Sequence, residues 1–154
     1  MRIRQILRAP DGCPWDLEQT HSSLRRHMVE EAYEAVAAIE NDDMDGLADE
    51  LGDILLQVVF HSQIAAESGD FTIDDTVANI IAKLRRRHPH IFGTAVADTP
   101  AEVMERWDRI KREERGGGGI LEGIAHTLPA LTYADKMCRR AGAVRFDRVP
   151  VDGR

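Results

Sequence analysis

The sequence predicts an all-α fold, a bundle of four to five helices. Apolar residues recur at three- and four-residue spacing over most of the chain. The breaks between these stretches are turn or proline steps: Asn41–Asp45, Ser68-Gly69-Asp70 and His88-Pro89. No alternating run is long enough to read as a strand. A length of 154 residues suggests one domain, and 43% hydrophobic with 31% charged residues fits a soluble globular class.

Residues 3–8 read as the end of a short helix. Ala9–Gln19 reads as a loop, with turn chemistry at Pro10-Asp11-Gly12 and Pro14 barring helix continuation. Thr20 or Ser22 caps the first long helix, from about Ser22 to Glu40. Leu24, Met28, Ala35 and Ile39 form its buried stripe; Glu31 falls inside that stripe, Glu34 at its edge and Glu30 further round. The second helix runs from about Asp45 to Glu67, with an apolar arc of Leu47, Leu51, Ile54, Leu55, Val58 and Ala65. Glu50, Asp53, Gln57 and His61 border that arc as a polar strip, and Gly52 leaves room for another helix to approach. The short connection favours antiparallel packing, which lets the two sets of carboxylates face each other but leaves their register open.

The third helix spans Thr72 or Asp74 to Arg87, stopped by His88-Pro89. Its basic end, Lys83 to His88, suits the negative pole of the helix dipole. Thr99-Pro100-Ala101-Glu102 is a capping box for a fourth helix reaching about Arg115, with Trp107, Lys111 and Glu114 on one face. Gly116–Gly119 terminates it flexibly. A last helix is expected over Pro129–Ala141, with Gly142 just beyond and an irregular tail from Arg145 to Arg154.

Charge is distributed unevenly. Met28–Phe60 holds ten acidic residues and no Lys, Arg or His, against 27 acidic and 20 basic residues in all and a net charge of −7. Outside that stretch basic residues slightly outnumber acidic ones, so the acidity is local. A local acidic block beside basic segments suggests a metal site with an anionic ligand. Cys13 and Cys138 match no metal or disulfide spacing and read as reduced thiols of a cytosolic protein. The basic N-terminus lacks the apolar region of a signal peptide, and the longest apolar run, Ile54–Phe60, is broken by Gln57. These features predict a cytoplasmic location and no membrane partner.

Carboxylates three apart share a helix face, so Glu31 with Glu34 and Glu50 with Asp53 can each aim two oxygens at one point. Oxygen-only ligation suits Mg²⁺, with Mn²⁺ as a substitute. Zinc would need His or Cys at ligand spacing, and a di-iron bundle would need two Glu-x-x-His elements where only Glu18–His21 occurs. Carboxylate-bound Mg²⁺ keeps positions open for substrate phosphates, which Lys83, Arg86, Arg87 or Lys111 could neutralise while Trp107 or Trp15 stacks on a base. Gly116–Gly119 lacks the Gly-Lys-Ser/Thr ending of a P-loop. Plainer readings compete: Glu40, Asp42, Asp43 and Asp45 as a solvated turn, residues 83–88 as a solvated helix end, Trp107 as core and His61 as a structural histidine.

Glu30-Glu31-x-x-Glu34 with Glu50-x-x-Asp53 resembles the signature of the all-α nucleoside triphosphate pyrophosphohydrolases. Gly12-Cys13-Pro14-Trp15-Asp16, Gln19-Thr20-His21, Glu50-Leu51-Gly52-Asp53, Arg86-Arg87-His88-Pro89-His90 and Trp107-x-x-Ile110-Lys111-x-x-Glu114-Arg115 resemble the MazG family more closely. The likeness covers roughly residues 4–115, which sets a domain at 1–115 followed by a glycine-rich linker, short helix and tail at 116–154.

The resemblance implies a homodimer or higher homo-oligomer that hydrolyses nucleoside triphosphates to monophosphate and pyrophosphate with Mg²⁺. It implies that Glu31, Glu34, Glu50 and Asp53 hold metal and that Glu30 shares the acidic shell, with Glu31 or Glu34 as base if not a ligand. Lys83, Arg86 and Arg87 would face phosphates, and Trp107 and Lys111 would lie near the nucleotide. No nucleic acid polymer is expected as a partner. Many family members carry two repeats, and this sequence resembles the first. A non-catalytic nucleotide- or metal-binding dimerisation module, or a helical interaction domain with a solvated acidic face, is the alternative.

Overall fold

The structure is a computed structural model and describes residues 2–114, 116 and 119–142. Among these residues there are eight helices and no strand. They are α1 (Arg2–Leu7), α2 (Pro14–Glu18), α3 (Arg25–Glu40), α4 (Met44–Ser68), α5 (Ile73–Arg87), α6 (Pro89–Phe92), α7 (Pro100–Glu113) and α8 (Ala130–Gly142). The expected tail from Arg145, and part of the expected glycine terminator, lie outside the described residues. The chain divides into two compact units, Met1–Arg86 and Arg87–Arg154.

Prolines open helices where the sequence reading has loops. Pro14 takes the first helical position of α2 and Pro89 that of α6. An N1 proline loses nothing there, because its missing N–H has no intrahelical partner anyway. Gly12 is the residue the preceding turn requires: a Cβ there would sit 2.3 Å from the Leu7 carbonyl oxygen. That turn is closed by Gly12 N–H to Ala9 O at 2.8 Å and Cys13 N–H to Leu7 O at 2.8 Å.

The first unit is built on α3 and α4, which fold back on each other through residues 41–43. Asp42 takes a left-handed conformation at φ 55°, and Asp43 caps α4 by accepting from Gly46 N–H at 2.9 Å. Two members of the expected solvated turn therefore shape the hairpin. Gly69, at φ 76°, closes the far end of α4.

The core of this unit is Leu24, Phe60 and Ile64, joined by Ala35, Ala38 and Ala65. The N-terminal segment crosses over α4 at Phe60. The Arg4 guanidinium lies 3.9 Å from the Phe60 ring centroid and pairs with Asp16, both side chains nearly buried. Trp15 meets the same ring edge-on, with centroids 6.4 Å apart. Arg8 donates twice to Glu67, at 2.9 and 2.6 Å, and also to the Asp16 carbonyl.

The expected apolar stripes are only partly covered within one chain. Met28 and Ile39 on α3, and Leu51 and Leu55 on α4, are 40–60% exposed. Ala38 and Phe60 are buried in their place. Periodicity finds an apolar face correctly but does not say which part of it a neighbour within the same chain covers. Gly52 has open space where its Cβ would be, with no described residue of its unit within 4 Å. Helix α5 buries no residue and exposes Val77, Ile80, Ile81 and Leu84.

In the second unit, α7 begins with the capping box expected from Thr99 and Glu102. Ile124 is buried, and Arg140 ties the loop before α8 by donating to the Glu122 carbonyl at 2.6 Å. No described helix is long and apolar enough to cross a membrane.

Candidate functional site

Helices α3 and α4 carry the acidic signature on the sides they turn toward each other. Glu31 of α3 and Glu50 of α4 are half-buried, and Asp53 of α4 is exposed. One carboxylate oxygen from each lies within 4.8 Å of the others. None of the ion pairs formed by the described residues involves these three. The proton affinities of Glu31 and Glu50 are raised. The Glu31 carboxyl is raised above the usual range, first by loss of hydration, then by the carboxylates of Asp53, Glu34 and Glu50 and a hydrogen bond to Glu34. Glu50 is raised likewise, by lost hydration and then by Glu34, Asp53 and Asp49.

Like charges held together without a counter-charge cost free energy unless a proton or cation joins them. The donor set contains only carboxylate oxygens, which suits a hard divalent cation such as Mg²⁺ or Mn²⁺ and not zinc. The residues present therefore fit a divalent cation.

The other acidic candidates occupy different places. Glu34 is exposed and outside the three-carboxylate group, but its charge helps raise the Glu31 carboxyl. Glu30 turns away toward cations of the preceding turn, 3.3 Å from Arg26 Nε and 3.3 Å from His27 Nδ1. The acidic stretch thus has one cation, Arg26, just upstream of it, serving its outermost glutamate.

The polar strip continues down α4. Gln57 is only 6% exposed, and its Oε1 has no hydrogen-bond partner. His61 stacks on His21, ring centroids 5.0 Å apart and Nδ1 atoms 2.7 Å apart. Burial, and then His21, hold His61 below its ordinary value. Nothing in the sequence pattern paired these two histidines, because forty positions separate them.

The expected phosphate and base ligands are divided between the units. Lys83 and Arg86 are exposed on α5. Arg87, Trp107 and Lys111 belong to the second unit. There Arg87 lies 5.3 Å from the Trp107 ring centroid and pairs with Glu114, Nη2 to Oε2 at 2.6 Å. His88 meets Trp107 edge-on at 4.9 Å. Trp107 and Lys111 line a cavity of about 740 Å³ with residues of α8, and Trp107 is half-buried rather than core.

Comparison with known proteins agrees with this geometry. Residues 19–92 match the MazG nucleotide pyrophosphohydrolase domain. The chain is 46% identical over 151 residues to the nucleoside triphosphate pyrophosphohydrolase of Escherichia coli K12, covering 96% of this chain and 57% of that protein. It is 44% identical over 147 residues to the nucleoside triphosphate pyrophosphohydrolase/pyrophosphatase MazG of Thermotoga maritima, covering 94% of this chain and 56% of the relative. It is 45% identical over 137 residues to the uncharacterized protein YabN of Bacillus subtilis, covering 88% of this chain and 28% of that protein. The chain thus spans little more than half the length of the two named enzymes. Its matched domain includes all of α3 and α4 and hence the whole carboxylate group. Over residues 19–92 the chain thus carries a MazG nucleotide pyrophosphohydrolase domain.

Proposed function

We propose that this chain hydrolyses nucleoside triphosphates to the monophosphate and pyrophosphate with the help of a divalent cation, Mg²⁺ by preference. The observation that carries the reading is the convergence of Glu31, Glu50 and Asp53 without a protein cation. The family match and the names of the relatives supply the substrate class. Glu31, Glu50 and Asp53 hold the cation in this reading, with Glu34 beside them. A cation so held supplies Lewis-acid polarisation of phosphoryl oxygens and a bound water of lowered pKa.

The protein's own residues do the rest. Glu34, solvent-facing beside Glu31, takes the proton of the attacking water. The water oxygen bonds to the α-phosphorus, the bond to the α–β bridging oxygen breaks, and pyrophosphate leaves. Lys83, Arg86 and Arg87 neutralise phosphate oxygens, and Trp107 with Lys111 receives the nucleotide. Arg87 meets an incoming phosphate only in competition with Glu114. Glu30, tied to Arg26 and His27, acts as a rim charge of the acidic shell.

The chain acts as a homodimer or larger homo-oligomer in this reading. Its support is the apolar surface left open on α4 and α5, where Leu51, Leu55, Ile80 and Ile81 are 44–60% exposed. Its location is the cytoplasm, where triphosphates are held.

The test is product analysis with and without Mg²⁺. Monophosphate and pyrophosphate, lost in Asp53→Asn, support the enzyme. Diphosphate and phosphate would mean a different reaction. Binding of metal and nucleotide without turnover would make the chain a non-catalytic module.

A further inference from the structure

The cavity of about 740 Å³ in the second unit lies within the size range of small-molecule sites. One wall is α7, with Val103, Met104, Trp107 and Lys111; the other is α8, with Thr132 and Lys136. We propose that the cavity between α7 and α8 takes a nucleoside phosphate and that Lys136 binds one of its phosphate groups, with Lys111 on the facing helix. This rests on the hydrolase reading above and extends it to a helix outside the matched domain of residues 19–92.

Arg139 is taken by Asp135 at 2.8 Å. Arg140 donates to the carbonyls of Glu122 at 2.6 Å and Ile120 at 3.4 Å. Arg112 has a partner of its own. Lys111 and Lys136 form no ion pair among the described residues. Two ammonium groups without an ion pair among the described residues thus line one cavity with the half-buried Trp107 indole and the apolar side chains of Val103, Met104 and Ile120.

The remaining acid, Asp108, also lines the cavity and has no cation partner among the described residues. A ligand that suits this set has a flat apolar part for Trp107, hydroxyl donors for Asp108 and anionic oxygens for the two lysines. A nucleoside phosphate has all three. An uncharged nucleoside would leave both ammonium groups unsatisfied, and inorganic pyrophosphate would leave the indole bare.

Lysine is the residue type for this role because its three donors rotate freely about a point charge and need no planar partner. Arg139 and Arg140, by contrast, are held by Asp135 and by the carbonyls of Glu122 and Ile120.

The experiment compares Lys136→Ala and Lys136→Arg in the full chain, with circular dichroism to confirm that the helices persist. Steady-state hydrolysis with Mg²⁺ is expected to show KM for the triphosphate raised about tenfold in Lys136→Ala, with kcat within about twofold and partial rescue in Lys136→Arg. Calorimetry with an α,β-methylene nucleoside triphosphate should show the same weakening, calorimetry with pyrophosphate a smaller one, and calorimetry with the free nucleoside none.

An unchanged KM and an unchanged calorimetric Kd would overturn the proposal while leaving the hydrolase reading intact. A weakened Kd with unchanged KM would also overturn it, since the cavity would then bind nucleotide outside the reaction. If the wild-type chain turns nothing over, the hydrolase reading fails, and the calorimetric arm alone still decides whether Lys136 binds phosphate.

Discussion

The two halves of α4 handle charge in opposite ways. Toward its N-terminal half, Glu50 and Asp53 meet Glu31 with no basic side chain among them, and the proton affinity of Glu31 and Glu50 rises. Toward its C-terminal half, Glu67 receives two hydrogen bonds from Arg8, and these hold its carboxyl below the usual range. Arg4 lies over Phe60 and is neutralised by Asp16. One helix thus carries a matched end that fastens the N-terminal segment and an unmatched end whose carboxylates repel one another. Carboxylates of the same kind serve structure where an arginine reaches them and, in the proposed function, hold a cation where none does.

The largest effect should come from breaking the matched end. Arg4→Ala leaves the Asp16 carboxylate nearly buried and unpaired, which should cost about 3–5 kcal/mol in urea unfolding. Replacing both partners with apolar residues of similar volume should recover most of that loss. A cost below about 1 kcal/mol for the single variant would mean that the pair is solvated and that the strap does not hold α4.

At the unmatched end the order reverses. Glu50→Gln should lower turnover by more than about 100-fold, beyond the loss usual for residues that merely support a metal ligand. It should leave the melting temperature in chelator unchanged or raised, because one of several repelling charges is gone. A variant that loses stability as much as activity would place Glu50 among structural residues.

The pH dependence of stability separates the halves further. Glu67 is depressed when folded, so its contribution is present above the unfolded value near 4.5 and lost as pH falls through the folded value. His61 is also depressed, so stability falls as pH drops from its unfolded value near 6.5 toward the folded one. Glu31 and Glu50 are raised, so in chelator their repulsion destabilises at neutral pH and is relieved as pH falls toward 4.5. Glu31→Gln should therefore steepen the loss of stability on acidification, and Arg8→Gln should flatten it. Denaturation midpoints across that pH range, taken without metal, provide the check.

The smallest effect concerns the surface beside the acidic group. A Cβ at Gly52 meets nothing within the chain, so Gly52→Ala should stabilise α4 by about 0.5–1 kcal/mol through helix propensity. A loss instead would show a second copy seated over that position, and light scattering on both proteins would tell the two cases apart.

Much of this was readable from the residues, for reasons of range. Helix ends depend on neighbours a few positions apart, so the capping box at Thr99 and the glycine close at Gly69 were legible. The meeting of Glu31 with Glu50 and Asp53 was legible in part, because i, i+3 spacing sets carboxylates on one face and a short turn returns the second helix, while Glu34 falls outside that group. The strap of Arg4, Arg8 and Asp16 was not, since Arg8 and Glu67 are 59 positions apart and no periodicity links them. The pairing of Arg87 with Glu114 and of His21 with His61 escaped for the same reason. Lys136 was passed over because its helix shows no acidic or glycine signature, and its position opposite Lys111 appears only in three dimensions. Pro14 misled because proline marks a helix start as readily as a stop.

The most direct test of the account is a Mn²⁺ titration followed by loss of the free-ion electron paramagnetic resonance signal, in the absence of nucleotide. Wild type and Arg8→Gln should show the same saturable binding, while Glu50→Gln and Asp53→Asn should lose most of it. Equal binding by all four proteins would contradict the claim that the unmatched carboxylates of α3 and α4 form the cation site.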